Sequence, residues 1–235
     1  MTIERLSVVV PFLNEAATLR PAVDRLLKTI LPVEIEVLLV DDGSTDASVS
    51  TVADLVQAGT VTLLTHPSSR GKGAALRTGL DHASGDVLTV LDADLEYDPA
   101  NYSELLAPIL EGESEIVYGS RSFTSHTAYS FWYVIGNKAL ALWASFLYNT
   151  WLSDIETCFK MAPLRTWQSL DLRSDGFGIE AETTAKLLRR HHRIFEVPIR
   201  YKARGREQGK KLRWTDGVQA LWILFKLRLV PRRWA

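Results

Sequence analysis

The sequence lacks several features that define common classes of protein. Its 235 residues include a single cysteine, Cys158, so an intramolecular disulfide and a metal site built only from cysteines are excluded. This shortage is typical of a reducing compartment. The five histidines show no metal-binding spacing. Neither G-x-x-x-x-G-K-S/T nor G-x-G-x-x-G occurs, so an ordinary P-loop or dinucleotide-binding fingerprint is not predicted.

Long uninterrupted hydrophobic runs are also missing. The first apolar run, SVVVPF, follows Glu4 and Arg5 closely and is too short for the hydrophobic region of a secretory signal. We therefore expect a cytoplasmic protein. Residues 129–152 are apolar and aromatic, but Gly136, Asn137 and Lys138 interrupt them near the middle. This favours an amphipathic helix or a partly buried wall over a transmembrane span.

The two halves of the chain carry opposite net charge. Residues 1–120 contain 7 Lys and Arg against 19 Asp and Glu, whereas residues 121–235 contain 20 against 9. This asymmetry predicts a metal-held ligand for the acidic half and an anionic surface or phosphate for the basic half. No motif supports a nucleic-acid partner, so none is expected.

The stretch DVLTVLDADLEYD, residues 86–98, has the pattern of a strand buried on both faces of a parallel sheet. It ends at Asp92, Ala93 and Asp94, and side-chain alternation can point the two carboxylates to one side. Like charges so close need a cation, a donor or a proton between them. Because Mg²⁺ and Mn²⁺ bind one or two carboxylates together with waters and phosphate oxygens, the pair suggests a metal-bridged nucleotide diphosphate. The alternative is that Asp92 and Asp94 only cap or turn the chain.

Two further segments add candidate residues to the same edge. A predicted strand at residues 35–40 ends in Asp41 and Asp42. In open parallel sheets, ligands lie beyond the carboxyl ends of the strands, so both acidic ends would line one site. Turn formation and helix capping are the alternative for this pair. After a third strand, Arg70 and Lys72 flank small residues at a helix start and form a candidate anion cradle.

Strands and helices alternate five times up to residue 121, which predicts an α/β fold with a parallel sheet and helices on both faces. Near the C-terminus, residues 214–235 combine an apolar face with Lys and Arg, as in a helix that lies on an anionic membrane surface. Two other charged features of the sequence can be explained by local structure alone, without a functional role. Glu180 and Glu182 suit the start of a helix, and the basic run at 201–213 suits a solvated loop.

An ordered set of motifs resembles the family 2 glycosyltransferases with the GT-A fold. The motifs are VVVPFLNEAATL, VDDGSTD, RGKGAALRTGL, DADLEYDP, YGSR, DIETCFK, GIEAETTAKLLRR, EVPIRY and the R-x5-KK of the basic run. More narrowly, they resemble the branch of dolichyl- and polyprenyl-phosphate sugar synthases. Each motif is weak alone, but their order over residues 7–222 makes the resemblance strong.

The resemblance implies a Rossmann-like GT-A domain at residues 1–213, with a nucleotide-sugar half at 1–121 and an acceptor half at 122–213, followed by the membrane-surface helix at 214–235. It implies that a set of residues lines the nucleoside and that another set holds Mg²⁺ or Mn²⁺ and the diphosphate. The first set is Pro11, Asn14, Glu15, Asp41 and Asp42, and the second is Asp92, Asp94 and Glu96, where related synthases have Gln in place of Glu96.

Inverting transfer in this family is one displacement, so a hexose would move from a GDP- or UDP-sugar directly to the acceptor. The metal at Asp94 would act as a Lewis acid on the leaving diphosphate. A polyprenyl phosphate acceptor is largely dianionic at neutral pH and needs cations for positioning rather than a base. The candidate cations are Arg121, Arg204, Lys210 and Lys211. A hydroxyl acceptor would instead need a carboxylate base, for which Asp154 is the candidate.

Two other functional classes are weighed against this one. A nucleotidyltransferase would place a glycine-rich, basic loop directly after the first strand, but no basic residue lies between that strand and Arg20. A membrane-surface binding protein without turnover could keep the same fold, whereas the enzyme is expected to be peripheral on the inner face of the cell membrane. The intact acidic set argues against that second alternative.

Overall fold

Strands and helices alternate along most of the chain in the computed structural model, which describes residues 3–121, 126–127, 131–203 and 214–230. The strands of the main sheet are β1 (Arg5–Phe12), β2 (Glu34–Asp41), β3 (Thr62–Thr65), β4 (Val87–Val90), β5 (Val117–Ser120), β7 (Lys160–Pro163) and β8 (Phe195–Pro198); β6 (His126–Thr127) pairs with β9 (Tyr201–Lys202). The helices are α1 (Leu19–Leu27), α2 (Ala53–Gln57), α3 (Lys72–His82), α4 (Tyr102–Leu110), α5 (Phe131–Tyr148), α6 (Leu164–Ser169), α7 (Ile179–Arg189) and α8 (Trp214–Leu229).

The seven-stranded sheet has the order β3-β2-β1-β4-β7-β5-β8. Its neighbouring strands are parallel except for β7, which runs antiparallel to both β4 and β5. The prediction of a mostly parallel sheet flanked by helices is therefore confirmed. The direction of β7, whose sequence is KMAP, could not be read from the sequence, because periodicity does not distinguish a parallel from an antiparallel strand.

Helices cover both faces of the sheet, which explains why its central strands are apolar throughout. Along β1, Val8 and Val10 face a core that includes α1 and α4, whereas Val9 faces a second core with α3, α6 and α7. All four residues of β4 are buried. The continuous apolar run that precedes Asp92 thus reflects burial on two sides.

The aromatic stretch and the C-terminal segment form two helices that pack on the same side of α7. Small or aliphatic residues of α5, α7 and α8 make a third apolar cluster, which includes Ala144, Ala181, Ala220 and Leu224. The helix α5 is shorter than the predicted range of 129–152. The division of the chain at residues 121 and 213 stays a prediction.

Candidate functional site

The predicted site segments follow strands that end at one edge of the sheet. Both β2 and β4 are parallel to β1, and β5 shares the direction of β4 because both are antiparallel to β7. Asp41 is the last residue of β2, Asp92 follows β4, and Arg121 follows β5. The sheet therefore brings the acidic strand ends and Arg121 to one edge, as expected.

Side chains of the loop after β2 hold the loop after β1. The backbone N–H of Asn14 donates to Ser44 Oγ at 2.9 Å, and Asn14 Oδ1 accepts from the N–H of Thr45 at 2.8 Å. The N–H of Glu15 donates to Ser48 Oγ at 2.8 Å. Asn14 has a φ of 53°, a left-handed conformation that asparagine tolerates better than most residues. The structure thus joins Asn14 and Glu15 to the segment after Asp41, while Pro11 is buried within β1.

The carboxylate of Asp42 is hydrogen-bonded to the loop that precedes α3. It accepts from the N–H groups of Arg70 at 2.9 Å and Gly71 at 2.8 Å, from Ser69 Oγ at 2.7 Å, and contacts His66 Nδ1 at 2.7 Å. Burial raises the pKa of Asp42, but these hydrogen bonds outweigh it and hold the pKa below its usual value. Asp42 therefore anchors the 69–71 loop, whereas Asp41, equally buried, accepts from the N–H of Ser44 at 2.9 Å.

The backbone amides of the predicted anion cradle already have protein acceptors. Beyond those bound by Asp42, the N–H groups of Gly73 and Ala74 donate to the carbonyl oxygen of Asp175 at 2.7 and 3.2 Å. A Cβ on Gly71 or Gly73 would collide with the 174–175 backbone, and Gly71 has a φ of 102°. These glycines admit the 174–175 loop rather than a phosphate, so the structure corrects the expectation of an amide cradle; Arg70 extends into solvent.

Lys72 is the centre of a buried chain of alternating charges. Its Nζ lies 2.8 Å from Asp92 Oδ1 and 3.2 Å from Glu180 Oε1, and Glu180 also binds Lys160 Nζ. Burial lowers the pKa of Lys72, but the two carboxylates outweigh it and raise the pKa above its usual value. Lys72 therefore neutralises the first carboxylate of the acidic pair.

Sequence reasoning missed Glu180 and Lys160 as parts of this chain. Glu180 does lie in the first turn of α7, as the dipole explanation expected, but its carboxylate is taken up by two lysines. The available signal was Lys160, which stands inside the short apolar run CFKM at residues 158–161, because lysine is almost never fully buried without a partner.

Asp94 and Glu96 lie in a tight turn after β4. Leu95 has a φ of 64°, which is rare for a residue with a branched side chain, and the N–H of Glu96 donates to Asp94 Oδ1 at 3.0 Å. The carboxylate of Glu96 is buried and accepts from the Tyr201 hydroxyl. Ala93 is buried between the two aspartates. Glu96 thus ties the acidic turn to β9, the strand that leads into the basic run.

The acidic turn fits a metal that takes few protein ligands. Within the described ranges, no group of three or more His, Cys, Asp or Glu side chains is arranged to hold a metal ion, so Asp92, Asp94 and Glu96 form no three-carboxylate cage. Asp94 is partly exposed at the strand end. Because Mg²⁺ and Mn²⁺ commonly combine one or two carboxylates with waters and phosphate oxygens, Asp94 with Asp92 provides a suitable donor set.

Arg121 and Asp154 form a buried, two-point ion pair. Arg121 Nε and Nη2 donate to the two Asp154 carboxylate oxygens at 2.6 and 2.8 Å, and Asn137 Nδ2 donates to Asp154 Oδ1 at 3.1 Å. The Asp154 side chain is fully buried. Burial raises its pKa, but Arg121 outweighs this and lowers the pKa below its usual value. A carboxylate so enclosed does not serve as a general base, so the structure does not support that role for Asp154.

The pKa of Glu156, a residue that sequence reasoning passed over, is shifted in the opposite direction to that of Asp154. Its Oε1 is buried and has no hydrogen-bond partner among the described residues. Burial raises the pKa of Glu156 to about 7, with Lys160 opposing the rise and Glu180 adding to it. Buried polar atoms without partners are uncommon and often mark functional positions. The carboxyl beside the buried charge chain can therefore exchange a proton near neutral pH.

Three predicted acceptor residues, Arg204, Lys210 and Lys211, lie outside the described residues. Arg121 is described, and its guanidinium carbon lies 5.1 Å from the centre of the Tyr201 ring. Tyr201 and Asp154 together fix the direction of this cation at the ligand edge.

Residues 7–163, more than half of the chain, match the family model described as glycosyl transferase family 2. The chain belongs to this family. It is 32% identical over 120 residues to the dodecaprenyl-phosphate galacturonate synthase of Rhizobium johnstonii, covering 49% of this chain and 36% of that protein. It is 32% identical over 117 residues to a dolichol-phosphate mannosyltransferase of Pyrococcus furiosus, covering 50% and 33%. The match thus spans about a third of the length of these curated relatives, and it confirms the resemblance to the polyprenyl-phosphate sugar synthase branch.

Among solved structures, the chain resembles glucosyl-3-phosphoglycerate synthase from Mycobacterium tuberculosis in complex with Mn²⁺, UDP and phosphoglyceric acid. The TM-score is 0.75 at 22% identity, with 97% of this chain and 80% of that chain covered. At this identity the likeness shows the fold, and the predicted GT-A architecture is confirmed.

Proposed function

We propose that the protein is an inverting, metal-dependent glycosyltransferase that moves a hexose from a GDP- or UDP-sugar to a polyprenyl phosphate. The observation that carries this proposal is the meeting of Asp41, Asp92, Asp94 and Arg121 at one edge of the sheet. Family membership and the names of the two curated relatives support it. A lipid-borne acceptor and a cytosolic nucleotide sugar would meet at the inner face of the cell membrane.

On the donor side, the residues of the edge divide into binding and charge-balancing roles. Asn14, Glu15 and Asp41 lie on the joined loops after β1 and β2 and form the nucleoside end of the site. Lys72 holds Asp92 in place and reduces the repulsion between Asp92 and Asp94. A divalent metal at Asp94 and Asp92 would act as a Lewis acid on the departing diphosphate.

On the acceptor side, a phosphate monoester needs orientation and charge neutralisation but no strong base. Arg121 sits at the end of β5 with its direction fixed by Asp154. The basic run follows β9, whose Tyr201 contacts both Glu96 and the Arg121 side chain. We assign Arg204, Lys210 and Lys211 to the acceptor phosphate because they continue the chain from this point.

The test is steady-state transfer to a short-chain polyprenyl phosphate by Arg204→Ala and by the double variant Lys210→Ala/Lys211→Ala. Loss of a charge-assisted contact should lower the acceptor-dependent rate about ten- to a hundredfold. Donor affinity, measured separately by thermal shift with a nucleotide diphosphate and Mn²⁺, should not change. Lys28→Ala, which alters an exposed lysine after α1, is the matched control. Unchanged acceptor kinetics in both variants would show that the basic run is only a solvated loop with no role in acceptor binding.

Glu156 favours a second candidate, transfer to a hydroxyl acceptor. A base works best when its pKa lies near the operating pH, and burial places the pKa of Glu156 at about 7. Glu156 therefore replaces Asp154 as the base in this alternative.

Glu156→Gln separates the two candidates because it keeps the shape of the side chain and removes its basicity. Transfer to a hydroxyl acceptor should fall about a hundredfold or more, whereas transfer to a phosphate acceptor should be nearly unchanged. Slow hydrolysis of the nucleotide sugar with Mn²⁺ tests turnover without any acceptor. If the chain neither hydrolyses nor transfers the sugar, a non-catalytic binding protein becomes the better description.

A further inference from the structure

The helices α5 and α8 pack side by side along one flank of the domain. Trp143 Nε1 donates to the carbonyl oxygen of Leu221 at 3.4 Å, the Tyr148 hydroxyl donates to that of Leu224 at 2.8 Å, and Arg228 Nε donates to that of Leu147 at 2.7 Å. Because these contacts advance along both helices together, α5 and α8 run in the same direction and form one surface.

Large apolar side chains of these two helices face outward, at positions where a surface helix usually carries polar residues. The inward residues include small ones, Ala141 and Ala144 of α5 and Ala220 of α8, together with Leu140 and Leu224, whereas many other large apolar residues face outward. The exposed set recurs at helical spacing: Phe131, Ile135, Leu142 and Phe146 on α5, and Trp214, Val218, Leu221, Trp222 and Leu229 on α8. We call this set the outer face. Helix faces exposed to water normally carry polar residues, so an apolar outer face indicates a contact surface.

Aromatic rings join the two helices across the outer face. Phe146 stacks on Trp143 with ring centres 6.0 Å apart, Trp143 lies 6.4 Å from Phe225, and Phe225 lies 6.0 Å from Trp222. The exposed fractions of Phe146 and Trp222 are 76% and 60%. The apolar stripes of α5 and α8 are therefore one continuous patch, and such patches mark protein or membrane contacts.

The charges among these residues favour a lipid surface over a protein partner. Lys138, between Ile135 and Leu142, is the only charged residue of α5, and Lys226 lies between Trp222 and Leu229 on α8; both are exposed. In a dry protein interface each of these cations would need a carboxylate of the partner placed opposite it, because burying an unpaired charge is costly. At a bilayer surface, lysine extends its ammonium group to the lipid phosphates while its methylenes and the nearby rings remain among the acyl chains.

We propose that the outer face, formed jointly by α5 and α8, docks the protein on a bilayer that contains anionic lipids. The helices lie in the interface rather than across it, since none of the helices that the structure describes is both long and apolar enough to span a bilayer. The sequence indicated residues 214–235 for such contact and predicted an amphipathic helix or a partly buried wall for residues 129–152, whereas the structure joins α5 and α8 in one face. The proposal does not depend on which sugar or acceptor the site takes.

The experiment measures binding of the 235-residue chain to vesicles of phosphatidylcholine with and without phosphatidylglycerol. The variants are Phe146→Glu on α5, Trp222→Glu on α8, and the two combined. Each change should weaken binding about tenfold, the scale of one large apolar side chain removed from water, and the pair should abolish it. Ile30→Glu is the matched control, because Ile30 is 94% exposed after α1 and lies on neither helix; it should bind as the unaltered chain does.

The same measurements also give the outcomes that would contradict the proposal. Undiminished binding by Phe146→Glu would exclude α5 from the contact, and no binding of the unaltered chain to anionic vesicles would exclude the membrane. Light scattering reports a third outcome: a dimer that both glutamate variants dissociate would mean that a second copy covers the outer face. Donor binding with Mn²⁺, which should be the same in all variants, shows that each one is folded.

Discussion

The segments Asp92–Asp94 and Asp154–Glu156 both place two carboxyl groups two residues apart, yet the molecule uses them differently. In each segment a cation holds the first carboxylate, Lys72 for Asp92 and Arg121 for Asp154. The second carboxyl groups differ. Asp94 is partly exposed after β4 and accepts an N–H at 3.0 Å, whereas Glu156 buries an oxygen that has no partner in the described part of the chain.

Spacing in the sequence sets which carboxyl groups are neighbours, whereas burial and nearby charge set their chemistry. At the open strand end, water, metal and diphosphate can reach Asp94, so it suits metal binding. Glu156 is itself only partly buried, but its Oε1 is enclosed and the charges of Lys160, Glu180, Arg121 and Asp154 act on it, so it suits proton exchange. One pattern thus provides a candidate metal ligand in the first segment and a candidate proton carrier in the second.

The largest expected effect is that of Asp94→Asn, which tests the metal side of the comparison. Loss of this ligand should reduce transfer by about a thousandfold or more, the equivalent of several kcal/mol of charge stabilisation. It should also remove the Mn²⁺-dependent part of nucleotide binding in a thermal-shift titration. Asp81→Asn, on an exposed carboxylate of α3, serves as the control. Metal-dependent binding that survives in Asp94→Asn would place the metal elsewhere.

Asp154→Asn should act mainly on stability. Removing one member of a buried ion pair leaves the other charge uncompensated and costs about 3 to 5 kcal/mol of unfolding free energy, measurable by urea denaturation. The matched control is Asp171→Asn, because Asp171 pairs with Arg173 at 2.6 Å on the surface, with 61% and 74% of the side chains exposed. That change should cost less than about 1 kcal/mol. A stable Asp154→Asn that has lost only its activity would restore Asp154 as a base.

Glu156→Gln should change the dependence of stability on pH. Burial raises the pKa of Glu156 in the folded chain to about 7, from 4.5 for an ordinary glutamate, so the folded state keeps a proton that the unfolded chain releases. Stability from this group is complete below the unfolded pKa and declines as pH rises to the folded pKa, by on the order of 3 kcal/mol in total. Glu156→Gln should remove this decline and be the more stable form at about pH 8.

The control for this comparison is Glu113→Gln, which changes an exposed glutamate after α4 and should keep the pH profile of the unaltered chain. Urea denaturation at several pH values gives the profiles. Parallel profiles for Glu156→Gln and the unaltered chain would show that Glu156 is ionised in the folded state, and the contrast with Asp94 would disappear.

Much of the fold could be read from the sequence because its signals are local. The run before Asp92 predicted a central buried strand, and β4 is buried at every position. The basic and apolar C-terminal stretch predicted a helix, which α8 confirms. The antiparallel direction of β7 and the small inner residues of α5 and α8 depend on packing between distant segments, so no local pattern could reveal them.

The sequence predicted some residues of the candidate site but not the roles of others. The acidic strand ends were recognised because Asp41, Asp92 and Asp94 stand directly after apolar runs. The roles of Asp42 and Asp154 were not, because each carboxylate is taken up by groups distant in the sequence, the 69–71 loop for Asp42 and Arg121 for Asp154. Glu180 was missed because its partners, Lys72 and Lys160, come from other elements. Glu156 was missed because its raised pKa comes mainly from burial, which has no local signal.

The order of strands and helices, the family and the acidic edge could be read from the sequence, because hydrophobic periodicity and the order of motifs are properties of the linear chain. Only the tertiary structure decided which carboxylates are already bound, which one carries a proton near neutral pH, and which apolar side chains face outward. The physical reason is that a pKa and a docking surface are set by neighbours in space, such as Lys72 and Glu180, which the chain separates widely and the fold brings to 3.2 Å.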